Sequence, residues 1–289
     1  MPARAQNVIP CPKTINATTA AGTIYACTGG AWIAVGGGSA DSDVFYASGY
    51  KGADAGEQIQ ACLNALPSGW TCDSTTLTSP QTSATSILVP DHNTWKAASI
   101  ALAPGHQVIV GNYSTLEGEG VGQTTITGSA PGLPLVDTGH TPTVNEATVE
   151  DLTIINTDSS NTGSLALTTA GGIKQHLNNL SLQSGGNYGL YLNSYYAIGN
   201  NITASGAVAG LYVMGGNSDS LYDYTNMGSP SCAAIDSTEG ISFYRINCES
   251  NTAGAMIVGQ AAGSGFPNTV NIFGGYIQPT SGPSFNLGA

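Results

Sequence analysis

The four residues Gly189-Leu-Tyr-Leu return as Gly210-Leu-Tyr-Val, and they are one instance of a pattern that fills the second half of the chain. Pairs of mostly apolar residues separated by one position recur as Leu152/Ile154, Leu180/Leu182, Ile202/Ala204, Thr225/Met227, Ile246/Cys248 and Ile272/Gly274. A second series runs between them as Leu165/Leu167, Leu190/Leu192, Leu211/Val213, Ala233/Ile235, Ala255/Ile257 and Phe285/Leu287. Successive members are mostly 21 to 29 residues apart. Alternation is the period of a strand, whose side chains point to opposite faces in turn. A repeat of this length with two or three strands in it predicts a solenoid, each coil stacked on the last. In Gly-Leu-Tyr-Leu the glycine then makes a corner, the two flanking apolar residues fill the core, and the tyrosine between them faces out.

Composition agrees with many short strands. Only 8% of residues are charged and 39 are glycine, whereas helical domains rely on Lys, Glu and Arg for their solvent faces. One segment does read as a helix, "DAGEQIQACLNALPSG". Asp54 can cap it, Glu57 stands three residues on as in a capping box, and Pro67 and Gly69 end it, which predicts a helix near 54–66. Ahead of it, "GTIYACTGGAWIAVGGG" reads as a hairpin of two strands, Ile24–Cys27 and Ala31–Val35, followed by a Gly-rich break. The expected organisation is a hairpin arm and linker over 1–48, then one solenoid domain over 49–289.

With "ILVP" and "LEGEGVGQTTITG" added to the helix and the coils, the chain from about residue 49 onward resembles the pectate-lyase-like superfamily. That resemblance implies an all-β fold, a right-handed parallel β-helix of three sheets whose open end is covered by a short helix. Members of the superfamily include polysaccharide lyases, glycoside hydrolases, epimerases, phage depolymerases and non-catalytic adhesins, so the fold alone selects none of these activities.

The net charge is −12 with six Lys and Arg, so no basic patch offers itself to nucleic acid. No apolar run is long enough to span a membrane. The six cysteines form three local pairs, Cys11/Cys27, Cys62/Cys72 and Cys232/Cys248. Proximity selects this pairing among the connectivities that six cysteines allow. None has the spacing of a thiolate metal site, so structural disulfides in an oxidising compartment are expected, with no metal and no cofactor. Ala3-Arg4-Ala5 before Gln6 resembles the remnant of a signal-peptidase site, which points to secretion or the cell surface.

Aligning the coils puts Asp151, Asn179, Asn201, Tyr224, Arg245 and Asn271 in one outward column. Ala166, Tyr191, Tyr212, Ala234 and Met256 fall in another, with Tyr191 and Tyr212 on adjacent coils about 4.8 Å apart. Outward tyrosines can stack on sugar rings while Asn and Arg hydrogen-bond hydroxyls, making Tyr191, Tyr212, Tyr224, Arg245 and Asn201 candidate glycan contacts. The same rows can equally be ladders that stabilise the solenoid. Asp219, Asp223, Asp236 and Glu239, with Glu249 beyond them, are the candidates for a hydrolytic carboxylate pair. "NTD" at Asn156–Asp158 matches a fragment of polygalacturonase-type hydrolases, but the Asp-Asp, Gly-His-Gly and Arg-Ile-Lys partners are missing. A lyase would need a dense carboxylate cluster facing a base, and Arg245 and Lys174 are the only cations of the repeating coils after Val149. His92, His106, His140 and His176 are scattered.

Two functions follow as expectations. One is a secreted protein that engages a largely neutral polysaccharide, as a glycoside hydrolase in its catalytic form. The other is a non-catalytic adhesin or self-assembling protein. In that case the pattern running to "PSFNLGA" leaves a coil to be covered by more chain, by the hairpin arm or by a second copy.

Overall fold

The computed structural model describes residues 17–20, 23–28 and 31–37 by their backbone, and the chain from 43 onward except 78–80, 140–143, 162, 217, 227, 237, 250, 254, 259–266, 268 and 288–289. Cys11, His140, Met227 and the Ala3-Arg4-Ala5 stretch lie outside the described residues.

From Val44 the chain winds as a right-handed parallel β-helix with three faces. An early coil shows them separately, with Thr94–Lys96 on the first face, Ile100–Leu102 on the second and Val108–Val110 on the third. Later coils fuse the first two into one long strand, as in Thr148–Asn156, His176–Ser184, Ile198–Ser205, Asp219–Asn226, Ile241–Glu249 and Val270–Gln278. The fused strand is two strands bent at one residue: Thr115–Glu117 pairs with its first half and Thr125–Gly128 with its second.

The bend explains one outward column, in which Asp223 and Gly274 stand where Tyr224 and Asn271 were expected. Its residues all have positive φ: Asp151 57°, Asn179 50°, Asn201 51°, Asp223 56°, Arg245 63° and Gly274 76°. A left-handed residue crowds its Cβ against the next carbonyl, and Gly, Asn and Asp bear this most easily. The amides also bond rung to rung, Asn179 Nδ2 donating to Asp151 Oδ1 at 2.7 Å and Asn201 Nδ2 to Asn179 Oδ1 at 2.8 Å. Arg245 holds its place by pairing with Asp223 at 2.5 Å.

The core is a set of columns of Leu, Ile and Val, one residue per coil, such as Leu152, Leu180 and Ile202, all at most 1% exposed. Several expectations about it are corrected. Tyr224, expected outward, pairs with Ile202 and is 1% exposed in the core, where its hydroxyl donates to the Cys232 carbonyl at 3.1 Å. The pair in that coil is Tyr224/Asn226 rather than Thr225/Met227, and in the last coil Gly275/Ile277 rather than Ile272/Gly274. At each bend two consecutive residues face out, which resets the alternation. On the third face the register aligns Leu190, Leu211, Ala233 and Met256, so Met256 is a buried core residue and not part of the outward column.

The helix Ala55–Ala65 lies over the first coils. Asp54 Oδ1 accepts the Glu57 N–H at 2.8 Å, and Glu57 Oε2 accepts the Ala53 N–H at 2.6 Å. Cys62–Cys72 ties the helix to strand Thr71–Asp73, and Cys232–Cys248 crosses the core between the third and second faces. The N-terminal strands form a three-stranded antiparallel sheet, Ala17–Ala20, Thr23–Thr28 and Ala31–Gly37, one strand more than expected.

Candidate functional site

The tyrosines of the repeated Gly-Leu-Tyr unit meet each other. Tyr191 and Tyr212 are in register on the third face, with ring centroids 5.3 Å apart. Tyr188 stacks on Tyr212 at 4.6 Å, and Ala234 of the next coil packs beside it, leaving Tyr212 8% exposed. The Tyr212 hydroxyl donates to Met214 Sδ at 3.2 Å and lies 3.5 Å from Asp236 Oδ2. Burial, and then the Asp236 carboxylate, push the Tyr212 phenol well above its ordinary range. This is packing, with Tyr188 and Tyr191 half-exposed at its rim.

Of the four candidate acids Asp223 stands apart, while Asp236 and Glu239 lie in the corner next to that of Asp219. Asp223 sits on the bend between the first and second faces, bonded to Arg245. Asp236 follows the third-face strand Ser231–Ile235 and is fully buried, while Glu239 is exposed in the next corner. Asp219 begins a long strand, is 1% exposed, and accepts the Ala197 N–H at 2.8 Å through Oδ1. Asp158 of the "NTD" fragment is a turn residue, accepting the hydroxyls of Ser160 at 2.6 Å and Ser164 at 2.5 Å, which hold its carboxyl below the ordinary range. Lys174 pairs with Glu146 at 3.1 Å, and His176 is half-exposed on the first face.

The residues that the pattern reading passed over lie on that first face. Its strands carry two outward columns. One runs Thr71, Thr94, Thr115, Thr148, His176, Ile198, Ser220, Ser242, Asn271. The other, two residues along each strand, runs Asp73, Lys96, Glu117, Glu150, Asn178, Asn200, Tyr222, Tyr244, Phe273. The second column changes character along the helix axis. Its first part is charged. Glu117 has Lys96 on one side and Glu150 on the other, and burial followed by the Glu150 charge raises its carboxyl above the ordinary range. Its middle is an amide ladder, Asn178 Nδ2 donating to Glu150 Oε2 at 3.3 Å and Asn200 Nδ2 to Asn178 Oδ1 at 2.9 Å. Its last part is aromatic, with Tyr222–Tyr244 centroids at 4.5 Å and Tyr244–Phe273 at 4.9 Å. These rings are nearly parallel, 7° and 15° between planes. They cover one another's faces, so Tyr222 and Tyr244 offer solvent their edges and hydroxyls, while Phe273 is 53% exposed. The signal was legible as a recurring Thr-x-Asp, Thr-x-Lys, Thr-x-Glu, Thr-x-Glu at 71, 94, 115 and 148.

Among the described residues no helix is long and apolar enough to cross a membrane. No protein-family model and no curated relative matches the chain. Two solved structures are similar in fold: a pectin methylesterase variant in complex with a hexasaccharide, at 15% identity and a TM-score of 0.40, and a pectin methylesterase in complex with another hexasaccharide, at 16% and 0.37. Each match covers 70% of this chain and 65% of the other.

Proposed function

We propose that this protein is an extracellular polysaccharide-binding β-helix that holds a largely neutral glycan lengthwise along its first face. The observation that carries the reading is the pair of outward columns, one of Thr and Ser hydroxyls interrupted by His176 and Ile198, the other with amides and tyrosines over the later coils, repeating at the rung spacing of about 4.8 Å. A polymer of hydroxylated rings needs such a repeating lattice of donors and acceptors, and Asn and Tyr supply both. The shortage of cations argues against a polyuronate: Lys96 lies between Asp73 and Glu117 in its column, and Arg245 and Lys174 are already paired. The disulfides Cys62–Cys72 and Cys232–Cys248 fit an oxidising compartment.

Affinity electrophoresis through gels containing neutral glucans, mannans or galactans tests the reading. Asn200→Ala and Tyr244→Ala should each weaken retention about 2- to 10-fold, the worth of one or two hydrogen bonds. Gln183→Ala, exposed on the second face, should leave it unchanged. Equal retention of all three variants would remove the first face from the function.

One observation favours a hydrolytic form of the same reading. Glu117 and Glu150 stand on adjacent rungs at the end of the amide ladder, and the Glu117 carboxyl, raised by burial and by Glu150 beside it, has the character of a general acid. Rung spacing suits the separation of about 5–5.5 Å used by retaining glycosidases. Reducing ends that appear with the wild-type protein and vanish in Glu117→Gln and Glu150→Gln, with retention kept, would support it. Unchanged activity in both variants would exclude this pair.

A further inference from the structure

The corner that leads from the third face into the first carries an inward residue in successive coils, at or just ahead of the start of the first-face strand: Ser114, Ala147, Gln175, Ala197 and Asp219, all at most 1% exposed. The polar members of this column have a shared task. Ser114 Oγ donates to the carbonyl of Pro90 at 2.6 Å, and Gln175 Nε2 donates to that of Val144 at 3.0 Å. Both carbonyls belong to the coil before, three residues ahead of its own member of the column, Asn93 or Ala147. By the same count the carbonyl opposite Asp219 is that of Ser194, three residues ahead of Ala197.

Asp219 and that carbonyl lie beside the same glycine. A Cβ built on Gly216 would lie 2.6 Å from Asp219 Oδ2 and 2.6 Å from the Ser194 oxygen, so the two oxygens flank one glycine. Oδ1 is already the acceptor of the Ala197 N–H, and among the described residues Oδ2 is buried without a hydrogen-bond partner. Ser114 and Gln175 can donate from this position, and a carboxylate cannot. A neutral carboxyl can.

We propose that Asp219 is a proton-dependent latch: held neutral, it donates from Oδ2 to the Ser194 carbonyl and so fixes the corner three residues ahead of Tyr222. Ionisation would remove that donor and leave a charged oxygen in the interior beside a carbonyl. The ionisable groups on the corners packed against it are Tyr195 and Tyr196 of the coil before and Asp236 and Glu239 of the coil after. None of them drives its titration. Burial pushes the carboxyl up to about 7, opposed by the Ala197 N–H.

The sign follows from proton counting. Between the unfolded value of 3.8 and about 7 the folded chain holds one proton more than the unfolded chain. The latch therefore contributes its full stability below the lower value, loses it progressively as pH rises, and contributes none above the upper value. Asp219→Asn replaces the proton with an amide that donates at any pH. We expect the wild-type unfolding constant, taken relative to the variant's, to rise about tenfold per pH unit across that window, measured by urea unfolding. Identical pH slopes would overturn the latch. Infrared spectroscopy of the wild type supplies a second reading that does not depend on the variant folding: a carboxylic-acid carbonyl band should be present at pH 6 and gone at pH 8.5, and its absence at pH 6 would overturn the latch as well. The consequence for Tyr222 rests on the first-face function. Glycan retention should weaken above pH 7 in the wild type and not in Asp219→Asn. A protein that shows the stability slope and the infrared band but binds no glycan would retain the latch and lose only the proposed function.

Discussion

Single residues in this molecule are chosen by where the backbone must bend and by what the core can seal. Asn201 sits at φ 51° and donates to Asn179, so conformation and ladder both favour it. Asn201→Gly keeps the conformation and loses only an exposed bond, so it should cost less in urea unfolding than Asn201→Ala, which should cost about 1–2 kcal/mol. Tyr224 makes a different demand. Tyr224→Phe leaves the Cys232 carbonyl without its buried donor and should cost about 1 kcal/mol, with glycan retention untouched because the ring never reaches solvent. The same two positions show what could be read from sequence. The corner residues Asp151, Asn179 and Asn201 were legible as a column because Asn and Asp recur there. Tyr224 was not, because a period-two reading has no place for a bend at which Tyr222 and Asp223 both face outward. Met227 also looked like the better core residue than Asn226. Asn226 is nevertheless 5% exposed, its amide bonded to the Ala204 and Ser231 carbonyls.

At the scale of elements, the strands are short and each is held by its neighbours above and below, so cross-strand pairs decide local stability. Glu117 beside Glu150 is a like-charged pair placed directly opposite, an unfavourable arrangement that burial sharpens. Glu150→Gln should raise stability at neutral pH by a few tenths to about 1 kcal/mol in urea titrations, and lower the Glu117 carboxyl toward its ordinary value. The helix Ala55–Ala65 depends on one covalent tie. A Cys62→Ser/Cys72→Ser double variant should lose about 2–3 kcal/mol in the same measurement. Helix, cap residue and this disulfide were all readable from "DAGEQIQACLNAL" and the short spacing to Cys72, since local contacts write themselves into local sequence. Carboxylate neighbours were not, because Glu117 and Glu150 become adjacent only through the length of the intervening coil.

For the whole molecule, the solenoid converts a sequence repeat into a surface repeat. The first face keeps its register over nine successive strands, from Thr71–Asp73 to Val270–Gln278, and its outer column passes from charge to amide to aromatic along the axis. From Asn178 to Phe273 the column makes four steps of about 4.8 Å, roughly 19 Å in all. Glycan affinity should therefore rise with oligosaccharide length until that distance is spanned and then level off, which calorimetry on a length series would register. Hydroxyl-radical footprinting with and without the longest glycan retained is the most direct test that this face is the binding surface. The side chains of Tyr222, Tyr244 and Phe273 should be protected from oxidation. Tyr113, Tyr195 and Tyr196, 49%, 47% and 52% exposed at another corner, should oxidise as before. Protection of those three with Tyr222, Tyr244 and Phe273 unprotected would contradict the first face as the place where the polysaccharide lies.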